Sequence, residues 1–337
     1  MHRDGFKVGI RGVPRAFLTK ERLAPFFFMV ATLETTARLP AERERLLALG
    51  AGLVTVTLWA SAFVGIRSAS QHLSPGALAF GRLTIASLAL GSIVLLKREP
   101  LPSRRDVGAI ALVGLFWFGL YNIALNAAER RVDAGTASML VNVGPIILAV
   151  LAGLVLHEGF PRRLFAGCAV ALAGVVVIAT ATSDQGVSAS WGALLCLAAA
   201  VFYAVGVVTQ KPVLARVSPL MVTWLACTFG ALVCLPFSFR LSQQLPDAPA
   251  STVGWMVYLA IAPMAIGFLT WGYALARTTA GRMGSITYLV PPIAILLGWV
   301  LLAETPPGLA IVGGAICLAG VVVAQRRPAS ASGRPAD

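Results

Sequence analysis

The sequence predicts an all-α integral membrane protein with ten transmembrane helices, arranged as two inverted five-helix repeats. Three observations carry this. Of 337 residues, 58% are hydrophobic and only 12% charged, with a mean hydropathy of +0.82, whereas soluble domains hold about 25% charged residues. The apolar residues fall into ten stretches near the length of about 20 that a helix needs to cross a 30 Å hydrocarbon layer. The second half of the chain repeats landmarks of the first.

The predicted spans cover residues 48–66, 76–96, 107–128, 136–156, 164–181, 191–210, 220–239, 253–275, 284–303 and 308–324. Charge, Pro or Gly marks each break, as at Ser74-Pro75, Lys97-Arg98-Glu99-Pro100, Glu129-Arg130-Arg131, Ser218-Pro219 and Glu304-Thr305-Pro306-Pro307. The net charge is +13. In a soluble protein this would suggest a nucleic-acid partner, but here the basic residues occupy tails and short connections, so none is expected. Even-numbered connections and the C-terminus hold 13 Lys and Arg, against four in the odd connections. The positive-inside rule then puts both termini in the cytoplasm of a bacterial-type inner membrane.

Four regions follow: a cytoplasmic tail at 1–46, repeats at 47–181 and 182–325, and a cytoplasmic tail at 326–337. The first tail contains the run LAPFFFMVAT at 23–32, about ten residues and too short to span. A start at Met29 is the expected explanation, with an interfacial helix as the alternative.

Shifting the chain by 146 positions lays residues 134–178 on 280–324 without a gap, and 16 of the 45 pairs are identical. Pro145 meets Pro291, Glu158 meets Glu304, Pro161 meets Pro307, and LAGVVV meets LAGVVV. Upstream the offset is 144, where Ser74-Pro75 meets Ser218-Pro219, Arg67 meets Lys211 and Trp59 meets Tyr203. An odd number of spans per repeat sends the second copy into the membrane from the opposite face. Such inverted halves are typical of secondary carriers, with the substrate site near the midplane between them.

Ten helices, the five-helix duplication, Trp59-Ala60-Ser61-Ala62-Phe63 in the first span, and a fourth span running through Pro145 to Glu158 resemble the drug/metabolite transporter superfamily, and within it the EamA-like family. The resemblance covers about 48–325. It implies a small-molecule carrier, often an exporter of amino acids, other metabolites or drugs, with a cavity between its halves. Such a carrier works by alternating access.

Intramembrane ionisable residues are costly and point to function. Arg82 alone lies well inside a span, and three roles are open to it: snorkelling outward, receiving an anionic substrate group, or pairing with Glu129 or Asp133. Asn122 and Asn142 are expected at its depth, as helix glue or as a polar wall. The expected substrate site combines Arg82, Asn122 and Asn142 with Trp59, Tyr203, Thr270 and Tyr288. Pro145, Pro291 and Pro292 interrupt corresponding helices, a pointer to a carrier site. Glu158 and Glu304 are expected as solvated helix-end groups or as gating or coupling residues. No carboxylate is expected deep in a span, which leaves Glu129, Asp133, Glu158 and Glu304 to carry any coupling proton.

Cofactors and metals are not expected, because His2, His72 and His157 are scattered and the five cysteines form no ligand cluster. A membrane-embedded enzyme or a channel-like subunit is the alternative function, although no catalytic constellation is visible. The expected partners are a small-molecule substrate, the lipid bilayer and a second copy in a homodimer.

Overall fold

Helix starts in this chain are written in short capping sequences. Ser218 accepts a hydrogen bond from Met221 N at 3.1 Å with Pro219 next in line, Ser103 accepts from Asp106 N at 3.2 Å, and Asp133 accepts from Thr136 N at 2.8 Å. These side chains satisfy donors that the first turn leaves over, and proline at the first helical position costs no hydrogen bond. The structure, a computed structural model, describes residues 41–156, scattered positions between 163 and 180, and 187–325. The expected fifth span, Glu158 and both tails lie largely outside the described residues.

Every regular element among the described residues is helical. They are α1 (Ala41–Ala69), α2 (Pro75–Lys97), α3 (Arg104–Ala128), α4 (Ala134–Val155), α5 (Val187–Val213), α6 (Pro219–Val233), α7 (Ser238–Gln244) and α8 (Ala250–Arg277). Next come α9, in the pieces Ala280–Ile286 and Val290–Leu302, and α10 (Gly308–Gln325). Six helical stretches are long and apolar enough to cross a membrane, within α1, α2, α3, α4, α5 and α8. The pair α6 and α7 adds a seventh if its 58° bend is accepted within one span, while α9 and α10 are shorter apolar helices. This is the composition and architecture of an integral membrane protein. Outward-facing leucines such as Leu88, Leu95 and Leu96 are about 70% exposed, as a lipid-facing surface requires.

Four interruptions shape the bundle. Both α3 and α8 contain a π-helical segment, Gly114–Leu120 and Ala260–Ile266, at positions 146 residues apart. The other two lie in α4, which breaks at Asn142–Val143, and in α9, which tightens into a 3₁₀ turn at Thr287–Leu289. Pro145, Pro291 and Pro292 each sit just after a break, in the first turn of the helix that resumes, where a missing N–H is harmless. The prolines therefore mark the breaks without standing in the middle of a helix.

Packing follows a paired pattern: α1 lies on α8 and α5 lies on α3, while α9 contacts α1 and α4 contacts α5. Small residues bring backbones together. A Cβ at Gly206 would come within 2.5 Å of Trp117 Cβ, and one at Gly144 within 2.7 Å of the Tyr203 ring. Glycine is needed at both places for the aromatic side chains to enter.

Candidate functional site

The interruptions meet at the centre. At the break in α4, Asn142 donates through Nδ2 to the Thr287 carbonyl in the 3₁₀ turn of α9 at 2.9 Å. On α3, Asn122 donates through Nδ2 to Phe118 O at 2.7 Å, one of the carbonyls of the π segment. Because each amide nitrogen is committed to a carbonyl, each Oδ1 must face the other way. Both Oδ1 atoms are buried without a protein partner among the described residues.

Opposite them Arg82 enters from α2 and is 4% exposed, with Nε and Nη1 buried and also unpartnered. All three residues line one central cavity of about 60 Å³, together with Trp59, Tyr203, Ser138, Pro145 and Thr287. Three roles were open to Arg82 from sequence. Its burial makes it a wall of the cavity, and the described residues give it no ion pair. Leaving a buried polar group unsatisfied costs about 1–3 kcal/mol, and more for a charged one.

The rest of the wall is aromatic. Trp59 lies 5.9 Å from Trp117, 5.2 Å from Phe268 and 5.0 Å from Trp271 between ring centroids, and Trp117 lies 5.3 Å from Tyr203. Trp59 Nε1 donates to the Pro263 carbonyl in the π segment of α8 at 3.2 Å. These rings fill the space between α1, α3, α5 and α8 and close one end of the cavity with apolar surface.

Two residues of the expected set stand elsewhere. The Thr270 hydroxyl meets Thr55 Oγ1 at 2.7 Å and donates to Gly267 O at 3.0 Å, so it ties α8 to α1 behind the rings. Tyr288 packs with Ile146 and Leu318 in a separate apolar cluster. Pro291 and Pro292 also lie away from the cavity lining. Sequence reasoning missed Trp117, Tyr121, Phe268 and Pro263, which reach the cavity from α3 and α8. An aromatic in a span looks like any core residue, and the π segments that aim these rings leave no composition signal.

Both ends of the bundle carry a cation anchored to a helix C-terminus. Arg67 Nη1 donates to Glu129 O at 2.6 Å, and Arg67 Nε donates to Glu304 Oε1 at 2.8 Å. Glu304, expected as a solvated helix-end group or a gating or coupling residue, forms an ion pair between α1 and the turn before α10. Elsewhere Lys211 Nζ donates to Leu275 O and Thr278 O, each at 2.5 Å. Lys211 is the residue that matches Arg67, and Leu275 matches Glu129. Beside Arg67 lies a second, polar cavity of about 430 Å³, lined by Arg130, Arg131, Asp133, Glu304 and Thr305. No cluster of three or more His, Cys, Asp or Glu among the described residues could hold a metal ion.

An all-helical membrane bundle with broken helices around a buried polar spot defines the class: an integral membrane transporter for a small molecule. The chain belongs to the EamA-like transporter family, whose profile matches it twice, over residues 46–180 and 190–325. It is 39% identical over 284 residues to a probable terminal-alkyne amino-acid exporter of Streptantibioticus cattleyicolor, a match covering 83% of this chain and 94% of that protein. The uncharacterized transporter YdfC of Bacillus subtilis is 32% identical over 79% of this chain and 87% of its own length. A probable amino-acid metabolite efflux pump of Salmonella typhimurium is 27% identical over 80% of this chain and 92% of its own. A solved crystal structure at 23% identity superposes with a TM-score of 0.59, covering 82% of this chain and 96% of the other, which shows the same fold.

Proposed function

We propose that the chain is an alternating-access carrier that exports a small amino acid with an apolar side chain. The observation that carries this is the set of unpartnered atoms on one cavity: Nε and Nη1 of Arg82, with Oδ1 of Asn122 and of Asn142. Guanidinium donors suit a carboxylate, two carbonyl oxygens suit an ammonium, and the Trp59, Trp117 and Tyr203 rings suit an apolar side chain. A zwitterion brings a carboxylate to the guanidinium and an ammonium to the two amide oxygens. The exporter names of two relatives support the same class and the outward direction. At about 60 Å³ the cavity has room for a few waters rather than a metabolite, so binding requires the broken helices to part.

The carrier is read as ten spans in two inverted repeats, 47–181 and 182–325, with both termini in the cytoplasm of an inner membrane. Support comes from the paired π segments and from the Arg67 and Lys211 anchors at matching places.

The test is counterflow into proteoliposomes of radiolabelled L-propargylglycine, a terminal-alkyne amino acid, with saturated L-norvaline as competitor. Preloaded vesicles should accumulate label transiently above equilibrium, which a channel cannot do. Arg82→Lys should weaken half-saturation at least tenfold, because an ammonium does not reproduce the two-donor geometry of guanidinium. Parent-like exchange by Arg82→Lys and Arg82→Gln would remove the charged basis of this reading.

A further inference from the structure

We propose that Glu129 is a proton site governing the ion pair between Arg67 and Glu304, so that protonation latches one mouth of the central cavity and ionisation releases it. The inference rests on the carrier reading above. It concerns the path to the cavity, whatever the substrate.

Glu129 follows the last residue of α3 and is 0% exposed. Neither carboxylate oxygen has a hydrogen-bond partner among the described residues. It stands in the wall between the two cavities: Leu125, one turn back, lines the central one, while Arg130 and Arg131 line the polar one. An unpartnered carboxylate in such a place favours its neutral form, since removing the charge from water is costly. Burial lifts the Glu129 carboxyl above the ordinary range, with Arg67 and then Arg82 pulling against that, and Glu304 and Asp133 adding to it.

The charged and titratable neighbours are few. Tyr121 is on the same helix and Cys196 on α5, and both sense the Glu129 charge. Asp133 is engaged as the cap of α4, accepting from Thr136 N at 2.8 Å and Thr136 Oγ1 at 2.6 Å. Arg82 belongs to the central cavity. Arg67 remains, held by Glu129's own carbonyl at 2.6 Å and by Glu304 at 2.8 Å. An ionised carboxylate buried here requires a cation, and the one already seated on its backbone is shared with Glu304. Loss of the proton to water of the polar cavity therefore sets two carboxylates competing for one guanidinium, which loosens the tie from α1 to the turn before α10. No other bond changes. At the matching place by Lys211 stands Leu275, so the Glu129 carboxylate has no counterpart at that position.

The experiment uses the full chain, free of its native cysteines, in nanodiscs, with a single cysteine at Leu125 or, as reference, at the exposed Leu101. A hydrophilic maleimide is the probe, and its rate at residue 125 is divided by its rate at residue 101 to remove the ionisation common to both thiols. The extra effect of burial on the thiol at 125 is shared by the parent and the variants, so the comparison between them carries the result. In the parent this ratio should rise at least tenfold from acid to alkaline pH. In Glu129→Gln it should stay low throughout, and in Glu304→Gln it should stay high throughout. Glu129→Asp, which keeps an acid of nearly the same shape, should restore the pH dependence and guards against a folding defect in the amide variant. A ratio that is flat with pH in the parent, or equally pH-dependent in Glu129→Gln, overturns the proposal. Since no substrate is used, this outcome is separate from failure of L-propargylglycine to exchange, which would overturn the amino-acid reading instead.

Discussion

The two halves of this protein share a frame and differ in chemistry. Counted from their paired landmarks, Arg82, Asn122, Glu129 and Asn142 of the first half correspond to Ala226, Phe268, Leu275 and Tyr288 of the second. The first half supplies charge and amides, and the second supplies apolar and aromatic surface at the same stations. The π segments show the same division of labour. Carbonyls of the first segment are satisfied by Asn122 from the same helix, whereas the Pro263 carbonyl of the second receives Trp59 from α1. The cavity takes its charge and amides, Arg82, Asn122 and Asn142, from the first half, and its aromatic surface from both halves, Trp59 and Trp117 with Tyr203 and Phe268.

The sharpest way to break this comparison is to ask whether paired positions really face opposite sides. Leu101 follows α2, and Asp247, also exposed, occupies the corresponding connection before α8. In a cysteine-free background within intact cells, Asp247→Cys should react with an impermeant thiol reagent and Leu101→Cys should not. Equal labelling defeats the inverted arrangement, and the reverse pattern keeps it but overturns the placement of both termini in the cytoplasm.

A smaller effect comes from making the second half copy the first. Phe268 packs 4.4 Å from Phe118 and 4.8 Å from Trp117 between centroids and is buried. Phe268→Asn should lower stability by about 3–5 kcal/mol, the range for truncating a buried aromatic, seen as earlier thermal loss of monodisperse protein. Retained stability would mean that the rings are not packing as a unit.

The smallest effect lies at the Arg67 mouth. Ala303 ends α9 with φ 53°, a left-handed conformation that favours glycine, and its N–H bonds Trp299 O at 3.2 Å while Glu304 N bonds Gly298 O at 3.2 Å. Ala303→Gly should raise stability by about 1 kcal/mol, read as a small upward shift in thermal midpoint with unchanged exchange. Destabilisation would show that Glu304 is held by something other than this helix end.

Much of this was legible in the sequence because its causes are local or periodic. Apolar runs near 20 residues follow from bilayer thickness, and Ser-Pro and Asp-x-x-Thr starts follow from helix-end chemistry. The registered Pro, Glu and Gly landmarks expose the duplication. Arg82, Asn122, Asn142, Trp59 and Tyr203 can be gathered by depth alone, since depth follows from counting along a span. Depth says nothing about the azimuth of a side chain. Thr270 has the depth of a cavity residue, but its position on α8 turns it toward Thr55, and Tyr288 turns toward Ile146 and Leu318.

Glu129 shows the same division most clearly. By sequence it is an ordinary acid in the charged run Glu129-Arg130-Arg131, at the end of a span and beside water. Only the packing of α2 and α5 against the end of α3, with Arg67 of α1 seated on its backbone, removes it from solvent while its two neighbours stay at the polar cavity. The sequence by itself determined the membrane class and the recurrence of landmarks between the two halves, because hydrophobic length and sequence register are one-dimensional quantities. The tertiary structure decided which polar groups face each other and which are left without a partner, because burial and pairing depend on the rotation of each helix and on breaks and π segments that aim it.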